Sequence, residues 1–72
     1  MRSYEKQIQE FAKEIADENI TKSQNPGYEP VLDLLSVARS ISNIYSVDLR
    51  KATEDLESEV RKSTARALNP NK

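Results

Sequence analysis

Apolar side chains recur along this chain at helical spacing, in three runs separated by two breaks. In the first run, about 3–18, Tyr4, Ile8, Phe11 and Ile15 follow one another at steps of four, three and four, with Ala12 and Ala16 beside them. That spacing draws one apolar stripe along a helix. Lys6, Gln7, Gln9, Glu10, Lys13 and Glu14 cover the other faces, and Ser3 is placed to cap the N-terminus. The second run, about 30–45, is richer. Val31, Leu34, Leu35, Ala38, Ile41 and Tyr45 share a face, and Leu32, Val37 and Ile44 widen it. A helix apolar over so much of its circumference is expected to be central and contacted from two sides. The third run, about 47–68, carries a narrower stripe of Leu49, Ala52, Leu56, Val60 and Ala67, with Ser63 or Thr64 between the last two.

The breaks fix how these helices connect. Asn25-Pro26-Gly27-Tyr28-Glu29-Pro30 holds the only glycine and two of the three prolines. Pro-Gly favours a turn with positive φ at Gly27, and Pro30 suits the first position of the next helix, where a missing N–H is harmless. Ile20, in the longer link from Asn19 to Glu29, is expected to pack back on the core. The second link, Tyr45-Ser46-Val47, is so short that its helices must run antiparallel. Ser46 is the expected N-cap of the third helix, with Asp48 in its first turn. Pro70 in the tail is a stop signal. The pattern therefore predicts an all-α fold: a small antiparallel three-helix bundle, one domain over 1–72.

Composition narrows the function. Seventy-two residues with 36% hydrophobic side chains can fill one small core, below the usual apolar share of a globular domain. Marginal stability is expected, or a partner that covers part of the apolar surface. Eleven basic and twelve acidic side chains leave a formal net charge of -1, without the basic excess of a nucleic-acid binder. The chain has no cysteine and no histidine. Disulfides, thiol catalysis, and the commonest general base and transition-metal ligand are thereby removed. No apolar run approaches the roughly 20 residues that cross a bilayer. Met1-Arg2-Ser3-Tyr4-Glu5-Lys6 lacks the apolar region of a signal peptide, so the cytoplasm is the expected compartment.

Candidate chemistry is sparse. Glu14 and Glu18 share a helix face, as do Glu54 and Glu57; such pairs hold Mg²⁺ when they meet across facing helices. The second helix offers only Asp33 to such a site, so the pairs read as solvated faces. No catalytic, cofactor-binding or metal-binding residue is assigned. Arg61, Lys62, Arg66 and Lys72 make the C-terminal end locally basic, suited to an acidic partner or a phosphate-rich membrane face, and equally to complementing the helix dipole. Glu57 to Arg61 and Glu59 to Lys62 are spaced for ion pairs within the helix. Tyr28, in the break, is a candidate contact aromatic; the plainer reading has it packing over the base of the helix pair.

From Glu18 onwards the chain resembles the enterocin A-type immunity proteins, which protect producers of class IIa bacteriocins. The residues that carry the resemblance are the break Asn25-Pro26-Gly27-Tyr28, the apolar helix with Leu34-Leu35-Ser36-Val37-Ala38, the turn after Asn43, and Lys51-Ala52-Thr53-Glu54-Asp55-Leu56. The family's fourth helix and its toxin-recognition segment have no counterpart up to Lys72. The resemblance implies a short helical bundle without catalysis. By the same resemblance such a bundle is expected to act in the cytoplasm on the mannose phosphotransferase permease with bound bacteriocin, and peripheral membrane association through the basic end is compatible with that role. Two other classes compete. One is a small helical homodimer serving regulation or assembly in a phage or mobile element, which the thin core fits equally well. The other is an enzyme: Tyr45-Ser46-Val47-Asp48-Leu49 resembles a helix junction of the all-α nucleotide pyrophosphohydrolases, but their paired metal-binding carboxylates are not found on the apolar helix here.

Overall fold

A computed structural model describes residues 3–68. They form three helices: α1 (Tyr4–Gln24), α2 (Leu34–Tyr45) and α3 (Leu49–Leu68). No strand occurs among the described residues. Tyr4, at the start of α1, meets Tyr45 at the end of α2 and Asp55 in the first half of α3. The chain therefore runs up, down and up, with α2 antiparallel to both of its neighbours.

Helix ends follow from local chemistry. The Ser3 hydroxyl accepts the Lys6 N–H at 3.2 Å, as expected of an N-cap. α1 then runs six residues past the predicted Glu18, to Gln24. Nothing between Asn19 and Gln24 interrupts it, and it stops where Pro26 disfavours helical backbone at the residue before it. Asn25 closes the helix with its N–H on the Thr21 carbonyl at 2.8 Å. Ile20 accordingly sits on α1 and not in a link. The turn that follows is closed by the Tyr28 N–H on the Asn25 carbonyl at 2.9 Å, and Gly27 does not take the predicted positive φ.

α2 begins at Leu34, four residues after the predicted Pro30. Pro30 is compatible with a helix start but satisfies no orphan donor. Asp33 does, its carboxylate accepting the Ser36 N–H at 3.0 Å and the Ser36 hydroxyl at 3.1 Å. Ser46 is not the N-cap of α3. It closes α2 instead, in the left-handed conformation at φ 54°, ψ 42°. The Val47 N–H reaches back to the Ser42 carbonyl at 3.1 Å, the long bond of a Schellman closure. The cap of α3 is Asp48, whose Oδ2 accepts the Arg50 N–H at 3.1 Å.

The core is small and built largely from alanine and β-branched residues: Ile8, Ala12, Ile15 and Ala16 from α1, Val37, Ala38 and Ile41 from α2, and Ala52, Leu56 and Val60 from α3. Alanines at the seam let the long helices approach closely, and α1 with α3 forms the broadest interface. Ile41 and Leu56 are the largest fully buried side chains, each worth about 1.5–3 kcal/mol of apolar burial. The expected central helix is therefore not α2. With 12 residues against 21 and 20, it lies across the α1–α3 pair and buries one face. Leu35 (47% exposed) and Ile44 (63%) flank that face, and Val31 (83%) precedes the helix entirely. On α3, Leu49 and Ala67 are exposed, so the buried stripe reduces to Ala52, Leu56 and Val60. Tyr4, Phe11, Leu32, Leu34, Tyr45 and Val47 pack, half-buried, around the core.

Candidate functional site

Three surface features hold chemistry beyond packing. The first is the basic half of α3. Arg61 and Lys62 are exposed, and each is tied to a carboxylate of its own helix: Arg61 to Glu57 at 3.3 Å and Lys62 to Glu59 at 3.3 Å. These are the two predicted pairs. They are worth a few tenths of a kcal/mol each and compensate much of the local positive charge. Arg66, one turn on, forms no ion pair among the described residues. It lines a shallow groove with Lys13 and Asp17 of α1. Lys72 lies outside the described residues.

The second feature is Tyr28. It is half-buried, and its phenol is pushed above the usual tyrosine range by partial withdrawal from water, then by the charge of the nearby Glu18 carboxylate. The same carboxylate accepts the Leu32 N–H at 2.9 Å. Tyr28 thus packs towards the bundle, at the end where α1 finishes and α3 finishes. It shares that end with Arg66 but is not brought into contact with Arg61, Lys62 or Arg66.

The third feature was not expected from the sequence. Tyr4 donates its phenolic hydrogen to Asp55 Oδ2 at 2.7 Å, and Lys51 Nζ reaches the same oxygen at 3.0 Å. The Tyr4 ring meets the edge of Tyr45 at 5.8 Å between centroids, and Lys51 Nζ stands 5.8 Å from the Tyr4 centroid. Burial, then the bond to Asp55, raises the Tyr4 pKa to about 12. The bonds from Tyr4 and then Lys51 hold Asp55 below the usual carboxylate range. One wall of a groove of about 540 Å³ between α1 and α3 is built from this cluster. A phenol held protonated by an engaged carboxylate is a clamp across three helices, with its donor and acceptor already matched. Lys51 and Asp55 at i, i+4 were a legible pair; Tyr4, fifty-one positions from Asp55, was not.

The acidic pairs of the helices do not converge. Glu14, Glu54 and Glu57 are exposed, and Glu18 accepts the Leu32 N–H. No group of three carboxylates able to hold a metal ion occurs among the described residues. None of the helices there is long and apolar enough to cross a membrane.

Fold and surfaces together define a small all-α domain of three packed helices. Comparison with protein-family models, with curated proteins and with solved structures gave no match.

Proposed function

We propose that this chain is a non-catalytic binding protein, and specifically a cytoplasmic immunity protein against a class IIa, pediocin-like bacteriocin. The observation that carries the reading is the order of elements. α1 ends against Asn25-Pro26, an extended connection leads to a short apolar α2, and a three-residue turn leads to α3. That is the pattern on which the resemblance to the enterocin A-type immunity proteins rests. In this role the bundle engages the mannose phosphotransferase permease once the bacteriocin is bound to it, and needs neither cofactor nor metal. Its contact surface is the exposed basic half of α3, with Arg61, Lys62 and Arg66, together with Tyr28 at the same end of the bundle. An anionic cytoplasmic leaflet attracts nearby Lys or Arg by about 1 kcal/mol each, less for Arg61 and Lys62, which are already paired.

The test is expression of the chain in a sensitive host, followed by challenge with a panel of pediocin-like bacteriocins. Protection against at least one supports the reading; full sensitivity to all, with folded protein present in the cells, counts against it. A second reading, a homodimer serving regulation or assembly in a phage or mobile element, is favoured by one observation. Val31, Leu35, Ile44 and Leu68 leave large apolar side chains in water on a chain with little core to spare. Light scattering at micromolar concentration separates the two: a stable dimer together with full sensitivity favours this second reading.

A further inference from the structure

The connection between α1 and α2 is fixed at both ends and held, just before α2, by one carboxylate. Asn25 caps α1 through its N–H on Thr21, and Asp33 caps α2 through Ser36. Between them, Pro26 and Pro30 have no N–H to give. Of residues 26–32, only Tyr28 and Leu32 are turned away from water, both to half-burial. Leu32 meets Glu18 through its N–H at 2.9 Å, and Tyr28 lies close enough to the same carboxylate to feel its charge. Leu32 further leans on the edge of the core.

We propose that residues 26–32 form a hinged strap latched by Glu18, whose release frees Tyr28 and Leu32 from the bundle while the three helices stay assembled. The helices do not depend on the strap. α1 and α3 share the broadest interface, and α2 packs on α3 and is held to the core by Val37, Ala38 and Ile41. The strap has no comparable anchorage. Its hydrogen bond to the bundle is the Leu32 N–H on the half-exposed Glu18 carboxylate, beside the edge contact of the Leu32 side chain, so this carboxylate biases the opening equilibrium. The latch stands whether or not the immunity reading holds. Its consequence is that Tyr28 is fully available to a partner only in the released state.

Amide hydrogen exchange of the full chain tests the latch, comparing wild type with Glu18→Ala, Glu18→Gln and Tyr28→Phe. In Glu18→Ala the Leu32 amide should exchange roughly ten- to hundred-fold faster, the span expected for losing a hydrogen bond to a charged acceptor. Amides at Ala12 and Leu56 should hold close to their wild-type rates. Glu18→Gln, which keeps a weaker acceptor, should fall between, and Tyr28→Phe, which leaves the Leu32 donor in place, should stay close to wild type. A Leu32 amide that exchanges at the wild-type rate in Glu18→Ala overturns the proposal, as does one that accelerates in step with Ala12 and Leu56. Should Glu18→Ala fail to fold, the wild-type protein decides alone. Exchange at Leu32 must then be nearly independent of low denaturant while exchange at Leu56 rises with it; equal slopes would mean that strap and bundle open as one unit.

Discussion

Tyr4 donates a 2.7 Å hydrogen bond to Asp55, joining the first turn of α1 to the first half of α3. The bond also orients the Tyr4 ring against Tyr45, so all three helices meet there. Tyr4→Phe keeps the ring and removes the donor. It should lower stability by about 1 kcal/mol, at the lower end for a bond to a charged acceptor because the site is partly solvated. In a domain this size that is a fall of roughly 4–8 °C in Tm, read by circular dichroism.

The same pair sets two pH windows. The fold raises the Tyr4 pKa from 10.0 to about 12, so the protonated phenol is favoured in the folded state. The stability it contributes is whole below about pH 10 and is lost as pH rises through about 12. Asp55 is shifted the other way, below 3.8. Its contribution is present above that value and lost as pH falls through its lower folded pKa. Wild type should therefore lose more stability between pH 10 and 12 than Tyr4→Phe does, measured by urea melts across that range. Parallel losses in the two proteins would show that the bond is not formed in solution.

Core and rim are sharply distinct in this small bundle. Leu56 and Ile41 are almost wholly enclosed, whereas Leu35 is 47% exposed. Leu56→Ala should cost about 2–5 kcal/mol, and Ile41→Asp, which buries a charge among apolar neighbours, should abolish cooperative melting. Leu35→Asp should stay folded with a Tm near wild type. Loss of folding in Leu35→Asp would mean that α2 is packed on a second side.

Why that distinction was hidden is instructive. Periodicity located the three helices and the stripe of Ile8, Ala12 and Ile15 correctly, because one face of a long amphipathic helix must be buried. On α2 the apolar residues extend around the cylinder, and spacing alone cannot tell a central helix from a short one lying across two longer neighbours. Pro30 offers an earlier helix start than the Asp33 cap; the Asp33–Ser36 spacing is the signal that favours Asp33. At the candidate site, the pairs of Arg61 with Glu57 and Lys62 with Glu59 were legible because they are local. The bond from the Leu32 N–H to Glu18 and the Tyr4–Asp55 bond join separate parts of the chain, and no local pattern encodes them.

Ser46 carries the only positive φ among the described non-glycine residues, at 54°. The left-handed region costs an L-residue about 1–2 kcal/mol, which glycine avoids. Part of that gain is offset by the greater freedom of glycine in the unfolded chain. Ser46→Gly should therefore raise stability by about 0.5–1 kcal/mol, and Ser46→Val, β-branched at the same position, should lower it by at least as much. Urea melts of the two variants check the order; a destabilised Ser46→Gly would mean that the Ser46 side chain supports the turn.

The final prediction ranks the basic side chains under the immunity reading. Arg61 and Lys62 each sit 3.3 Å from a carboxylate of their own helix, so the field they project is already reduced. Replacing either with Glu removes one cation and also releases Glu57 or Glu59, leaving adjacent like charges that cost a few tenths of a kcal/mol. Arg66 has no ion pair among the described residues and stands nearer the end of the bundle that also presents Tyr28. If that end meets an anionic surface beside the permease, Arg66→Glu should weaken protection of a sensitive host more than Arg61→Glu does. Glu57→Gln, which unmasks Arg61, should leave protection intact or strengthen it. The measurement is bacteriocin dose against survival at matched expression, with helicity confirmed for each variant. Equal effects of Arg61→Glu and Arg66→Glu would point to the whole outer face of α3 as the contact. Loss of protection in Glu57→Gln would show that the carboxylates, and not the cations, are what the partner reads.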